Sequence, residues 1–457
     1  FIPKDKLWPL PTDEQLKEQD DNLWNKHYFG KEASNANPIN YKTAVNKQFG
    51  ESTSLEEFCE KAQLLNIEVM KGMYEAWNDK MWNDATGMLI WMSQSAYPSF
   101  VWQTYDYYHD ATGAYWGAKQ ACEPLHIQWN SSNNSIKVIN TTSNDLKNAI
   151  AVATVYDING KVHQKYGQQS QVNVAASNIA EAFKLNFNPY NLAAGKPAFA
   201  SSASNNGKAN LAFDGGAGSR WESNTSDAEW IYVDLEQSQQ IETVVLKWEQ
   251  AFAKMYEVQV SADAKKWKTV YSQNDGKGGL EEINFKPVKA RYVRINASKR
   301  ATEYGYSIYE MEVYGKEKAD TGFSDLNFIK LELKNDQGKT ISTNFYWRNG
   351  KIDLDYSELS KLPAADISCT VQIKDKQKIN INIKNNSNTV AFGNRLRLTD
   401  KTTKERVLPL MMSENYFTLM PGEERVITVE GDFKAAKNGI DILLKQYGKQ
   451  EQIKGSI

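Results

Sequence analysis

GMLIWMSQSAYPSFVWQTYDYYHDATGAYWGAKQACEPLHIQW, residues 87 to 129, is the stretch whose reading decides the fold. The apolar run Met88-Leu89-Ile90-Trp91-Met92 follows Gly87 and is bounded by small polar residues, which predicts a buried strand. Gly113 to Cys122 reads as a helix stopped by Glu123-Pro124. Trp91, Tyr97, Trp102, Tyr105, Tyr107, Tyr108, Tyr115 and Trp116 crowd the same stretch. Aromatic faces with interleaved Gln, Ser and Asp suit a sugar: flat walls meet its C–H faces and polar groups meet its hydroxyls. The same pattern also suits a core strand followed by an amphipathic helix, which is the commoner use of aromatic-rich sequence.

Upstream, residues 1 to 50 are polar, pinned by Trp8, Pro9, Pro11, Trp24 and Tyr28, and read as loop plus short helices. Asn35-Ala36-Asn37-Pro38 is a turn signal. Residues 54 to 79 are a predicted helix. Ser54 and Glu57 have the spacing of a capping box, in which each side chain satisfies the other's free backbone N–H. Leu55, Phe58, Cys59, Ala62, Leu65, Val69, Met73 and Trp77 then recur at three and four, a stripe expected to face a core. Residues 1–123 therefore read as helix, strand, helix.

From Leu125 the period switches to two. Short alternating runs at 126–129, 135–140, 150–157, 171–175 and 182–187 predict an immunoglobulin-like sandwich that stops one or two strands short. Phe328 to Leu333 and Thr340 to Trp347 supply two further strands after a long interruption. The expected units are 1–123, then 124–188, an interrupting module at 189–316, a return at 317–360, and a last sandwich at 361–457. Such an insertion requires the module's two ends to lie close together.

Bulk properties narrow the function. The formal net charge is −2 over 457 residues, so no basic surface points to nucleic acid. No run approaches a membrane-spanning length. Cys59, Cys122 and Cys369 form no CxxC, and His27, His109, His126 and His163 are scattered, so neither a zinc site nor a Cys/His catalytic pair is expected.

GMLIWM, Ala96-Tyr97-Pro98-Ser99, Trp102-Gln103 with Tyr105-Asp106-Tyr107-Tyr108, Gly113-Ala114-Tyr115-Trp116-Gly117 and Ala121-Cys122-Glu123-Pro124-Leu125-His126 resemble the end of the catalytic barrel in family 2 glycoside hydrolases. The exo-β-D-glucosaminidases are the nearer group and the β-mannosidase-like enzymes the next. The sequence departs from that pattern at Ser93-Gln94-Ser95 and at Tyr97. Arg395-Leu396-Arg397-Leu398 and Asn415-Tyr416-Phe417-Thr418-Leu419-Met420-Pro421-Gly422-Glu423 resemble the C-terminal domain of the same enzymes. Phe213-Asp214-Gly215, Arg220-Trp221, Trp230-Ile231-Tyr232-Val233-Asp234-Leu235 and Tyr309-Glu310-Met311-Glu312-Val313-Tyr314-Gly315 resemble a discoidin module of coagulation-factor type C, a galactose-binding-like β-sandwich.

These resemblances imply a mainly β, multidomain chain: the C-terminal part of a (β/α)₈ TIM barrel, two immunoglobulin-like sandwiches and an inserted discoidin sandwich. A complete barrel takes about 250 residues, so only its closing part is expected here. They also imply a retaining glycosidase with a carbohydrate substrate, a glycan ligand for the module, and periplasmic or secreted location; a non-catalytic carbohydrate-binding or adhesive protein that keeps the barrel remnant as scaffold is the alternative. Both catalytic carboxylates are expected upstream of Phe1, in an N-terminal part that would be this chain's partner. Within the chain, Trp91, Gln94, Tyr97, Trp102 and Asp106 are the expected sugar contacts. A local pair made by Asp106 with Asp110, or by Asp84, is the rival reading. No cofactor is expected for catalysis. Asp214, Ser219 and Glu310 match the position of a structural Ca²⁺ in such modules, and hard oxygen ligands from a turn suit that ion. Plain turn chemistry explains Asp214-Gly215 equally well.

Overall fold

Helix Leu55–Asn78 is the wall against which the other parts assemble. The computed structural model describes residues 4–17, 23–27, 38–83, 86–91, 93–99, 103–187, 190–216, 218–316, 326–349, 354–433 and 439–457. At the start of the helix the Ser54 hydroxyl accepts from Glu57 N at 3.2 Å. The Glu57 carboxylate accepts from Thr53 N at 2.7 Å instead of from Ser54, so one arm of the predicted capping box forms and the other moves out by one residue. Phe58, Ala62 and Leu65 are buried as the stripe predicts. Cys59, Val69, Met73 and Trp77 are exposed, which corrects the rest of it. The reason lies in the second half of the helix, where the side turned to the protein carries Lys71 and Glu75.

Phe58, Ala62, Leu64, Leu65 and Ile67 share one core with Phe328 and Trp347 of the first sandwich and with Val390, Phe392 and Tyr447 of the last. One apolar side of the long helix is thus buried against both sandwiches. Helix Gly113–Ala121 lies on the long helix at very close range. A Cβ on Gly113 would sit 2.2 Å from Gln63 O, and one on Gly117 would sit 2.4 Å from Ile67 O. Two glycines four apart on one helix face are what this approach requires.

The run after Gly87 is not the predicted buried strand. Met88 to Trp91 pairs with no strand among the described residues, and Leu89 is 99% exposed. A strand needs a neighbour for its backbone N–H and C=O groups, and the described residues offer none. No strand of a (β/α)₈ barrel is therefore formed by this run.

The β structure follows the period-two reading closely. One sheet of the first sandwich joins Leu125–Asn130, Ser135–Asn140 and Asn178–Lys184. The other places Leu146–Asp157 between Gln168–Val174 and Asn327–Lys334, with Thr340–Arg348 outside. Strands from both sides of the interruption pair directly, Asn327 opposite Asp157 and Leu331 opposite Ala153. Between them a seven-stranded sheet, dominated by the long bent strands Glu229–Trp248 and Leu280–Arg300, closes around its own core. Its ends meet: Asn191 Oδ1 accepts from Val313 N at 3.0 Å, and Leu192 N donates to Val313 O at 2.8 Å. Two four-stranded sheets built from Ile367–Ile373 onward form the last sandwich.

A buried polar knot ties the long helix to the first sandwich. Glu75 Oε1 accepts from His126 Nε2 at 3.0 Å, from Asn344 Nδ2 at 2.7 Å and from the Tyr346 hydroxyl at 2.9 Å. One turn earlier Lys71 donates to Phe345 O at 2.6 Å and lies over the Tyr346 ring. Burial pushes the Lys71 ammonium below its ordinary value, against the pull of Glu75 and Glu68. Removing one member of such a cluster strands the others in low dielectric. Glu75→Ala is expected to cost about 3 to 5 kcal/mol, read as a fall in the urea midpoint of the whole chain. A Lys71→Met, Glu75→Leu double variant should regain much of that loss, and a strictly additive or larger loss would show that the knot is not a coupled unit.

Candidate functional site

Between Trp91 and Asp110, Trp91, Tyr97, Tyr105, Tyr107 and Tyr108 are exposed, Ser95, Gln103 and Thr104 are buried, and backbone hydrogen bonds hold the described turn. Tyr105 N donates to Ser93 O at 3.0 Å, and Thr112 N donates to Thr104 O at 3.0 Å. Asp106 is the pivot of the loop. Its Oδ1 accepts from Tyr108 N at 2.8 Å and from Asp110 N at 3.0 Å, an arrangement that fixes the carboxylate by local turn geometry. Gln94 lies beside it, donating to Asp106 O at 3.3 Å. Trp91 is 77% exposed, and Tyr97 stands partly exposed with its ring against His27. The structure thus brings Gln94 and Asp106 together and leaves Trp91 and Tyr97 on the same open stretch. Trp102 lies outside the described residues, as does Asp84. Asp110 takes ion pairs from Arg395, at 3.1 Å, and from Arg406 of the last sandwich. That engagement ties the loop to the last sandwich.

In the module, Asp214 Oδ1 accepts from Gly216 N at 2.9 Å and from the Ser219 hydroxyl at 2.8 Å. Glu310, on strand Ser307–Tyr314, reaches the same turn through Gly215 N at 3.2 Å. Its other oxygen, Oε1, is buried and bonds to nothing described. Burial, followed by the like charges of Glu312 and Asp214, pushes the Glu310 carboxyl well above its ordinary value. Burial raises Asp214 as well. Among the described residues no group of three or more His, Cys, Asp or Glu side chains is placed to hold a metal. A cation here would use two carboxylates and complete its shell from hydroxyl, carbonyl or water oxygen, a donor set that fits Ca²⁺. The turn also packs on the first sandwich, where Asn134 Nδ2 donates to Gly215 O at 3.0 Å.

A second polar group in the module was not singled out from sequence. Trp221 pairs with Ile308 and Ile308 with Trp248, and all three point into the core. Their neighbours along each strand point outward: Arg220 and Glu222, Tyr309, and Glu249. Arg220 donates to Glu222 Oε1 at 2.6 Å, and its guanidinium is held up by Glu222, with Glu249 and Tyr309 contributing. Two carboxylates, a guanidinium and a phenol ring on one rim are polar contacts for a sugar. Period-two alternation marks each of these residues as outward, but it does not show that the three strands are neighbours.

Comparison with known proteins separates the same parts. The F5/8 type C domain family matches residues 197–311, and the exo-beta-D-glucosaminidase Ig-fold domain family matches residues 344–445. An exo-β-D-glucosaminidase of Amycolatopsis orientalis is 35% identical over 161 residues, 34% of this chain and 14% of that enzyme. The chain resembles the exo-β-D-glucosaminidases, with an F5/8 type C module set into it. The first relatives are matched over only 12% and 14% of their own length. In fold, the chain follows the crystal structure of the Amycolatopsis orientalis exo-chitosanase CsxA. The two share 19% identity and a TM-score of 0.59, over 100% of this chain and 41% of that one. Over the module, chitosan-binding module 1 from a Paenibacillus sp. IK-5 chitosanase/glucanase is 46% identical, with a TM-score of 0.27, covering 27% of this chain and 98% of that one.

The raised Glu310 carboxyl makes the metal-free protein sensitive to pH in a defined direction. The folded state holds this proton more tightly than the unfolded chain, so stability falls as pH rises from 4.5 through the raised value. In chelator, the module's melting midpoint should rise as pH is lowered from neutral towards 4.5. Glu310→Gln should flatten that slope. A slope unchanged in the variant would assign it to other groups.

Proposed function

We propose that this chain is the C-terminal portion of a retaining β-glycosidase of exo-β-D-glucosaminidase type, exported to the periplasm or secreted, that hydrolyses O-glycosidic bonds of amino-sugar oligo- or polysaccharides. Its first part, residues 1–123, closes a (β/α)₈ barrel whose acid and nucleophile are encoded upstream. One observation carries this reading. Val69, Met73 and Trp77 on the long helix, and Leu89, Ile90 and Trp91 after Gly87, expose apolar side chains. A helix apolar on two sides, with one side covered by the sandwiches, is a helix meant to sit between two layers. Exposed apolar surface of this extent marks a contact with further protein. Barrel strands laid beside residues 88–91 would supply the missing ladder.

In such an enzyme two carboxyl groups about 5 to 5.5 Å apart act as acid and nucleophile. The residues of this chain bind and orient the sugar beside them. Trp91 supplies a stacking face. Gln94 and Tyr97 line the same mouth, Trp102 is a further expected contact, and Asp106, held by two amides, is a fixed acceptor for a hydroxyl. In the full-length enzyme, Trp91→Ala is expected to lower kcat/KM by about 3 kcal/mol, roughly a hundredfold. An unchanged kcat/KM would leave Trp91 a packing residue only.

The module serves as a sugar-binding unit through Arg220, Glu222, Glu249 and Tyr309. Carboxylates on this rim favour a sugar bearing an ammonium group, and the Tyr309 ring offers an apolar face. Calorimetric titration of the whole chain with glucosamine oligomers should show saturable binding. Glu249→Gln should weaken it by about tenfold or more, as for a lost hydrogen bond to a charged group. Equal affinity for fully N-acetylated oligomers would refute the role of the carboxylates.

Asp214, Glu310 and Ser219 hold a structural Ca²⁺, which would neutralise the two carboxylates and stiffen the turn against the first sandwich. Added Ca²⁺ should then raise the melting midpoint of the wild type and leave Asp214→Asn unmoved. No shift in the wild type would reduce the turn to plain hydrogen bonding.

A further inference from the structure

The turn that carries Asp106 is closed by Asp110. Asp106 N donates to Asp110 O at 3.0 Å, and Asp110 N returns a bond to Asp106 Oδ1 at 3.0 Å. Tyr108 N donates to the same oxygen at 2.8 Å, which leaves Oδ2 without a donor among the described residues. The foot of the turn is fixed from the helical side. Thr112 N donates to Thr104 O at 3.0 Å, and Gly113 N donates to Gln63 Oε1 at 2.6 Å.

The far arm of the turn is held from elsewhere. The Asp110 carboxylate takes one guanidinium from Arg395, at 3.1 Å, and a second from Arg406, residues 285 and 296 positions further along the chain. Arg395 lies on strand Ala391–Asp400, and Arg406 pairs back onto that strand opposite Thr399. The Tyr416 ring lies 5.7 Å from the Arg395 guanidinium. Exposed ion pairs contribute little, because water screens them and two flexible side chains must be ordered. Here Asp110 is 25% exposed and the two arginines 33% and 32%, and both arginines stand on paired backbone. The last sandwich has its own core and does not need this loop to fold. What the two guanidiniums decide is where the Asp110 backbone sits, and that backbone decides where the Asp106 carboxylate points.

We propose that Arg395 and Arg406 are positioning residues for sugar binding, holding Asp110 so that Asp106 presents its carboxylate to the substrate in one orientation. A carboxylate free to swing must be ordered again when the sugar binds, and that ordering is subtracted from the affinity. This role rests on the reading of Asp106 as a sugar contact in a glycosidase. It goes further in assigning part of the site's affinity to a sandwich that touches no sugar.

Two measurements test it. In the chain itself, amide hydrogen exchange of peptides covering residues 104–112 reports the turn without any need for activity. Asp110→Asn keeps the shape and removes the charge, and Arg406→Met removes one of the two guanidiniums. Each should speed exchange of the Tyr108 and Asp110 amides by about fivefold or more. Lys378→Met, which breaks an exposed ion pair with Glu430 in the same sandwich, should leave that exchange unchanged. In the full-length enzyme acting on glucosamine oligomers, both turn variants should raise KM by about fivefold or more and leave kcat within about twofold. In an Asp106→Ala background, Arg406→Met should change KM no further. Unchanged exchange in both variants would overturn the proposal whatever reaction the enzyme performs. So would a wild-type KM once the turn has loosened, or an undiminished effect of Arg406→Met in the Asp106→Ala background. A wild type that hydrolyses no glycoside is a failure of the glycosidase reading, seen before any variant is made, and the positioning role falls with it.

Discussion

The carboxylate of Glu75 is the point on which the arrangement of this chain depends. Three donors from two different strands converge on one of its oxygens, and the helix that carries it also supplies Phe58, Leu64 and Leu65 to the shared core. The apolar contacts provide the larger share of the attraction, because they remove the most surface from water. The polar knot adds something burial alone does not. It fixes which face of the helix meets the sandwich, since any other rotation would leave buried charges without partners. The cost of that choice is visible on the opposite side of the helix, where Val69, Met73 and Trp77 face outward.

The same constraint explains how a complete module can sit inside a sandwich. Asn327–Lys334 must return to lie along Leu146–Asp157, because that pairing closes the first core and carries Phe328 to the long helix. The module asks only that its own ends be adjacent, and the bonds from Leu192 and Val313 hold them so. Its core is separate, so its folding places little demand on the strands that flank it. Contact between the module and the sandwich is made by the Asp214 turn, where the close approach of Gly216 to Ser132 leaves no room for a side chain.

The two candidate sugar surfaces differ in how they are built. Gln94 and Asp106 sit on a loop held by backbone hydrogen bonds and braced through Asp110 by Arg395 and Arg406. Arg220, Glu222, Glu249 and Tyr309 stand on neighbouring strands above a buried Trp221–Ile308–Trp248 row, a rigid base for an exposed rim. The first resembles part of a larger cleft and the second a self-contained patch. The proposed hydrolytic and binding roles rest on that contrast.

By itself the sequence determined the helix at 55–78, the helix at 113–121, the change to period-two structure after Leu125, and the return of the first sandwich at Phe328. Each of these is a local periodicity, and local periodicity reports which side chains can share a face. Asp214 with Glu310, and Gln94 with Asp106, were named through the family resemblance, and the structure brings Glu310 to the Asp214 turn and Gln94 to Asp106. Burial was not legible in the same way. The run after Gly87 read as a buried strand, yet Leu89 is exposed because no described strand lies beside it, while Lys71 and Glu75 are buried beside partners that no local pattern names. The rim of Arg220 and Glu249 and the ion pairs of Asp110 with Arg395 and Arg406 likewise exist only once distant segments are neighbours. Hydrophobicity is a property of a residue, whereas burial and hydrogen-bond satisfaction are properties of the company it keeps, and that company is set only by tertiary structure.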